Sequence, residues 1–568
     1  MEYSRRAPLF LLMLSSAVLV TLIRFFHAID PTYDGGIQLQ AAHNLLSGRG
    51  LSVFSQVLSD LGAGKSLVTL TYFPAGYSLC AAALLGLGLS VATTVKVLAA
   101  TATLLGWWGW GRVARAFLID VRARGAQWKW AAVAVATLTP LFFTPPWGGT
   151  DIFLWAIVPW VIAAIVDAAR DGTSYRWRLD WLAGALCGIA VFMRYVSLFL
   201  ILYAAVLILW QSGLRLRMLM RRWAVFALGV LPALLVQGYI LYVLAESVGT
   251  PGGLLAEERR FLPRLWVGIQ YLHTANTFWN FWVPGTITSR IFPGGTRALA
   301  WQLGVTALAF VSWVTALQFY RRHAGTSGPD LRTAALGLFA AVPLTLLGCT
   351  MVSSSIFVAE PRYYWPVVPL SAFAAYFIAS SVDVPADRLA IRLLKRSSTL
   401  YVAAYVAMSL VYAVSLVLPA RISESPRSRL VATELWPWPS MAVTYEFHAA
   451  RQLVMQRLKE HPDTLLLTSR AGEFFWDPAV DRSRLFDLNC GSLPDKPTYI
   501  TGPARILIHS FDDGQPQELW YYAANRKHER ATCFDRLPAA VMVRQFPKEG
   551  FKVLEAHVAN GQRIALIP

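Results

Sequence analysis

Charge is scarce in this sequence, and histidine and cysteine are scarcer. Only 15% of its 568 residues are charged, where a soluble globular chain carries about a quarter. The shortfall excludes an ordinary soluble protein, because long stretches hold no charge at all. With nine histidines and five cysteines in the chain, no His/Cys/carboxylate set has the spacing of a metal site. The tail shows neither a phosphate-binding glycine loop nor a nucleophile elbow. Internal repeats, frequent in transporters, are absent as well. What is plentiful is apolar and aromatic, at 56% and 13% of residues. The net charge of +18 comes from short basic clusters between apolar runs, not from one polar face, which argues for membrane loops and against nucleic-acid binding.

The N-terminus reads MEYSRR and then runs apolar from Pro8 to Phe26. That run is too long for a signal peptide and no small-residue cleavage site follows, so it is expected to be a first transmembrane helix with a cytoplasmic N-terminus. Further candidate spans are 95–116, 130–147, 152–169, 181–193, 196–211, 223–246, 299–320, 333–352, 363–382 and 399–419. Ala75 to Leu89 is shorter than the roughly 20 residues a crossing needs. If it does not cross, the basic clusters Arg112–Lys129, Arg170–Arg178, Arg215–Arg222, Arg321–Arg332 and Arg388–Arg396 all share the side of Arg5 and Arg6. The positive-inside rule therefore makes 75–89 a juxtamembrane or re-entrant helix and gives about 11 transmembrane helices. Loops 28–94 and 247–298, and everything after about residue 420, then face the extracytoplasmic side.

Residues 421–568 lose the long apolar runs. A helix over Thr444–Lys459, with Ala449, Leu453 and Leu458 on its apolar face, precedes the strand-like TLLLT. ARILIHS, a helical ELWYYAANRK, AVMVRQF and RIALIP follow, so a small extracytoplasmic α/β domain is expected beyond a transmembrane domain over 1–420. Cys490 and Cys533, the tail's two cysteines, are expected to pair in an oxidising compartment. Cys80, Cys187 and Cys349 fall in apolar segments and read as small buried residues.

The first exit from the membrane presents DPTYDGG, with Asp30 and Asp34. Ile37, Leu39, Ala41, Ala42, Leu45 and Leu46 then suggest a short amphipathic interfacial helix, ended by Gly48 and Gly50. TYFPAGY (71–77), TPPWGGTDIF with Asp151, and EPRYYWPVVP with Arg362 and Tyr363 stand at the other outward segments. Displacement at an anomeric carbon asks for a carboxylate to take the acceptor's proton, and for cations on a departing phosphate. Lys96, Arg194, Arg362 and the EERRFLPR cluster (Arg259, Arg260, Arg264) are the available cations.

An acid outside the first helix, the A-x-N-L-x-x-G-x-G run AAHNLLSGRG, the FPAGY helix start and the R-Y-x-x-P-x-x-P run of RYYWPVVP together resemble the GT-C glycosyltransferases. The similar branch holds the protein O-mannosyltransferases and the aminoarabinose transferase of lipid A. The likeness spans roughly residues 8–380 and leaves the tail uncovered. It implies a polytopic α-helical membrane enzyme that moves a hexosyl or pentosyl group, with inversion, from a polyprenyl-phosphate donor to a glycan, lipid or protein acceptor at the outer face of the cell membrane. It implies that Asp34 is the general base, with Asp30 second, and that Asp151 is the second-loop acid. Some relatives carry a lysine just before the proline of FPAGY; here Tyr72 and Phe73 stand there, so the phosphate contact moves to other cations. Tyr72, His273 and Tyr363 are the expected substrate contacts, and 271–284 adds aromatics suited to stacking on a sugar. No cofactor is expected; a divalent ion shared by Asp34 and Asp151 is the alternative not favoured. Three other readings compete: a ligase- or polymerase-like enzyme using a lipid diphosphate with His273 and the arginines of 259–264, a lipid or sugar transporter, and a non-catalytic membrane scaffold presenting the C-terminal domain, which leaves the acidic loops unexplained.

Overall fold

In a computed structural model, the structure describes residues 33–54, 67–71, 73–118, 150–168, 175–212, 215–244, 448–468, 482–487, 498–511, 541–546 and 551–566, with single residues at 18 and 480. The chain divides into two compact units: Met1–Ile29, Thr71–Tyr77 and Val95–Pro419 form one, and Asp30–Leu70, Ser78–Thr94 and Ala420–Pro568 the other.

The helices in chain order are α1 (Tyr33–Leu46), α2 (Gly76–Gly86), α3 (Val91–Leu118), α4 (Asp151–Ala168), α5 (Trp177–Met193), α6 (Leu198–Ser212) and α7 (Leu216–Tyr239). A 3-10 turn, Tyr195–Ser197, joins α5 to α6, and α7 runs on as a π-helical turn through Leu244. Among the described residues, two segments are long and apolar enough to cross a membrane, Val91–Trp110 and Leu216–Leu244. The α2 helix has 11 residues, about 16 Å at 1.5 Å per residue, half of the hydrocarbon thickness. The expected spans at 8–27, 130–147 and from 299 to 419 lie outside the described residues.

Within the first unit, α5 and α7 pack side by side and in parallel. Asp180 meets Arg222, and a Cβ at Gly184 would collide with the Phe226 carbonyl oxygen. One at Gly229 would strike the Trp181 carbonyl. Small residues here let two backbones approach closely, as in GxxxG packing. The α3–α4 contact works the same way, with Gly106 against the Trp155 ring and Gly109 against Pro159 and Trp160. Trp160 Nε1 donates to the Leu105 carbonyl at 3.0 Å, and Trp110 Nε1 to the Trp155 carbonyl at 3.2 Å.

The expected helix over 181–193 begins earlier, at Trp177. Its polar start misled the hydropathy reading; Asp180 is wholly buried because the guanidinium of Arg222 neutralises it. Cys187 is buried and Cys80 half-buried, both free thiols; Cys349, Cys490 and Cys533 lie outside the described residues.

In the second unit, α1 leads into a hairpin of β1 (Ser52–Phe54) and β2 (Leu67–Thr69), antiparallel with Ser52 opposite Thr69. The sequence predicts an amphipathic interfacial helix here, yet Gly35 through Ala42 are all buried, Gln38 and Gln40 included. Part of the reason is internal: Gln40 Oε1 accepts from the Phe54 amide at 3.3 Å, and Asn44 Nδ2 donates to the Ser52 carbonyl at 2.9 Å. The helix stops at Gly48 and Gly50, whose φ values of 74° and 70° lie in the left-handed region that glycine tolerates.

After residue 447 the elements are α8 (His448–Glu460), β3 (Leu465–Thr468), β4 (Leu485–Asp487), β5 (Thr498–Thr501), β6 (Ala504–Phe511), β7 (Val541–Phe546), β8 (Phe551–Val558) and β9 (Arg563–Leu566). Five strands form one mixed sheet in the order β4-β3-β6-β8-β7, and β5 pairs with β9 separately. β3 runs parallel to β4 and β6, while β8 is antiparallel to β6 and β7. A core of Leu465, Leu467, Phe486, Ile506, Ile508, Ala556 and Val558 follows from alternate residues of these strands. The strand-like TLLLT, ARILIHS, AVMVRQF and RIALIP are strands. β4, β5 and β8 are additional; in FKVLEAHV, Glu555 and His557 alternate with the buried Ala556 and Val558. Among the described residues of α8, Leu458 of the expected stripe is buried and Leu453 half-buried, with Val454 buried beside them.

Candidate active site

The polar residues that the first unit gathers at one end of its helices come from four separated segments. The α5 helix ends at Met193, and Arg194 leaves it in extended backbone, φ −157°. The Arg194 side chain is 8% exposed, and its Nη1 donates to Thr150 Oγ1 at 2.7 Å. Thr150 is itself buried and directly precedes Asp151, the first residue of α4. A guanidinium is a planar fork of donors, the geometry that suits phosphate.

The next residue, Tyr195, reaches the TYFPAGY segment. Its hydroxyl donates to the Thr71 carbonyl at 3.2 Å and accepts from Gln237 Nε2 at 2.9 Å. Gln237 Oε1 in turn accepts from the Ala75 amide at 3.2 Å. Burial pushes the Tyr195 phenol well above its ordinary value and outweighs the opposing hydrogen bond from Gln237, so the hydroxyl stays protonated and can donate. Gly76 fits under the Phe192 carbonyl and beside Met193 Sδ, where a Cβ would clash. Tyr77 stacks edge-to-face on Phe153, with centroids 6.0 Å apart. Residues 71–77, 150–153, 192–195 and 237 therefore form one tied cluster.

Of the expected site residues, Arg194 lies inside this cluster and Asp151 at its edge by backbone position. Asp34 falls in the first turn of α1, in the second unit. Lys96 is half-buried on the first turns of α3. Asp30, Tyr72, Arg259, Arg260, Arg264, His273, Arg362 and Tyr363 lie outside the described residues. Among the described residues no three of His, Cys, Asp and Glu come together as metal ligands. Sequence reading missed Thr150, Tyr195 and Gln237. The usable signal was Gln237, a lone amide inside the apolar run LPALLVQGYI; polar side chains at such depths mark packing or function.

No family model matches the sequence, and a search of curated proteins finds no match. Solved structures do overlap it. ArnT from Cupriavidus metallidurans bound to undecaprenyl phosphate is 14% identical with a TM-score of 0.49, over 97% of this chain and 99% of that one. The archaeal oligosaccharyltransferase AglB from Archaeoglobus fulgidus, in complex with an inhibitory peptide and a dolichol-phosphate, is 12% identical with a TM-score of 0.40, over 85% of this chain and 64% of its own. The arabinosyltransferase EmbB from Mycobacterium smegmatis is 15% identical with a TM-score of 0.30, over 80% and 41%.

Proposed function

We propose that this protein is an integral membrane glycosyltransferase that moves a sugar from a polyprenyl-phosphate donor to a cell-envelope acceptor on the extracytoplasmic face. The observation that carries the reading is the Arg194 cluster: a buried guanidinium beside the Asp151 helix start, on the same end as the pinned FPAGY segment. In this reading Arg194 contacts the donor phosphate, and Arg362, Arg259, Arg260 and Lys96 supply further positive charge as the bond breaks. Asp34 takes the acceptor proton as the acceptor oxygen attacks the anomeric carbon, with inversion. Asp151 stands beside the phosphate site as the second acid. Tyr72, His273 and Tyr363 contact the sugar or acceptor, and residues 421–568 cover the site or hold the acceptor. The test is mass spectrometry of envelope glycans and glycolipids from cells with and without the gene. The proposal expects one envelope species to lose one sugar residue and a polyprenyl-phosphate sugar to accumulate. Identical glycan profiles would refute it.

A further inference from the structure

The opposite end of α5 and α7 carries a charge that the Arg194 cluster does not use. Because the two helices run in parallel, both begin there, and the last turn of α4 joins them: Arg222 Nη2 reaches the Ile165 carbonyl at 3.5 Å, and the Arg176 amide the Ala168 carbonyl at 3.5 Å. The two described carboxylates at this end are already engaged. Asp180 accepts from Arg222 Nε and Nη2 at 2.7 and 2.8 Å and from the Tyr175 hydroxyl at 2.9 Å. Asp167 takes Arg112 at 2.8 Å.

Four further arginines, Arg178, Arg215, Arg217 and Arg221, are exposed here. Among the described residues none of them meets a carboxylate. Arg178 lies over the Trp177 ring at 5.7 Å and Arg221 over Tyr175 at 5.2 Å. Apolar side chains surround them: Trp177 is 49% exposed, Leu216 70% and Met220 55%. The apolar span of α7 starts at Leu216 itself, so the arginines sit at the depth where hydrocarbon gives way to water. Basic and aromatic residues at that depth suit a negatively charged headgroup. Both helix starts add their positive dipole ends.

We infer that this end of α5 and α7 is a binding surface for anionic phospholipid headgroups. Arg178, Arg217 and Arg221 hold the phosphate, while Trp177, Leu216 and Met220 lie along the acyl chains. The positive-inside topology puts this surface on the cytoplasmic leaflet, away from the proposed transfer site. The inference does not depend on the reaction.

The full chain, reconstituted in nanodiscs of equal phosphatidylglycerol and phosphatidylcholine, would be analysed by native mass spectrometry for retained lipid. Wild-type protein is expected to retain phosphatidylglycerol preferentially, less so after exposure to 1 M salt, which screens exposed charge. Arg178→Gln/Arg217→Gln/Arg221→Gln should cut that preference about tenfold or more, since each cation near a surface adds on the order of 1 kcal/mol. Arg457→Gln/Lys459→Gln on α8 should leave it unchanged. Equal retention of the two lipids by wild type overturns the inference even if the triple variant fails to fold. A folded triple variant with wild-type preference overturns it as well.

Discussion

Gln237 ties the FPAGY backbone at Ala75 and, through Tyr195, the residue Thr71 just before it. Replacing it with leucine leaves the Ala75 N–H without its acceptor and the Tyr195 hydroxyl without its donor. Unpaired buried groups cost about 1–3 kcal/mol each, so Gln237→Leu should speed hydrogen exchange across Thr71–Tyr77 while the strands near Ile506 keep their protection. Unchanged exchange at 71–77 would show that the loop holds itself. Asp34 is the residue on which the proposed chemistry turns. Asp34→Asn keeps the side chain's size and removes the base, and general-base catalysis is worth ~10²–10⁴-fold in rate. Turnover should fall by that factor with donor binding retained, while Asp30→Asn should lose far less. A well-folded Asp34→Asn protein with near-native turnover contradicts the assignment. At this scale the sequence was partly readable. Arg194 stands out as a charge at the end of an apolar run, but that its partner is Thr150 depends on two helix ends meeting, which no local pattern encodes.

Helix pairing is where charge and small residues act together. The Asp180–Arg222 pair is fully buried and ties α5 to α7 one turn from where Gly184 and Gly229 bring the backbones into contact. Breaking one side of a buried pair costs about 3–5 kcal/mol because the other charge remains. Asp180→Ala should therefore lower the thermal midpoint strongly. Asp180→Ala/Arg222→Met should recover part of that loss, since it removes both charges; a double variant no more stable than the single would show that the pair's packing, not its charge, matters. Helix existence was legible from hydropathy for α3, α4, α6 and α7, because each carries an apolar run of its own. The start of α5 was not, because an aspartate three residues into a helix reads as an end until its distant arginine is known. In the same way β8 was hidden: half-buried Glu555 and exposed His557 alternate with buried Ala556 and Val558, and its place in the sheet comes from pairing with β6 and β7.

For the whole molecule, the sidedness of its loops decides what it can use. The proposed extracytoplasmic transfer site is out of reach of nucleotide sugars in the cytoplasm, so the proposed donor is one carried by the membrane. The most direct measurement is turnover by the purified full chain in detergent or lipid, with polyprenyl-monophosphate sugars and nucleotide sugars offered separately and polyprenyl phosphate release followed by mass spectrometry. The proposed function predicts release of polyprenyl phosphate from a lipid-linked sugar and no consumption of UDP- or GDP-sugars. Consumption of a nucleotide sugar with no lipid donor present would contradict it.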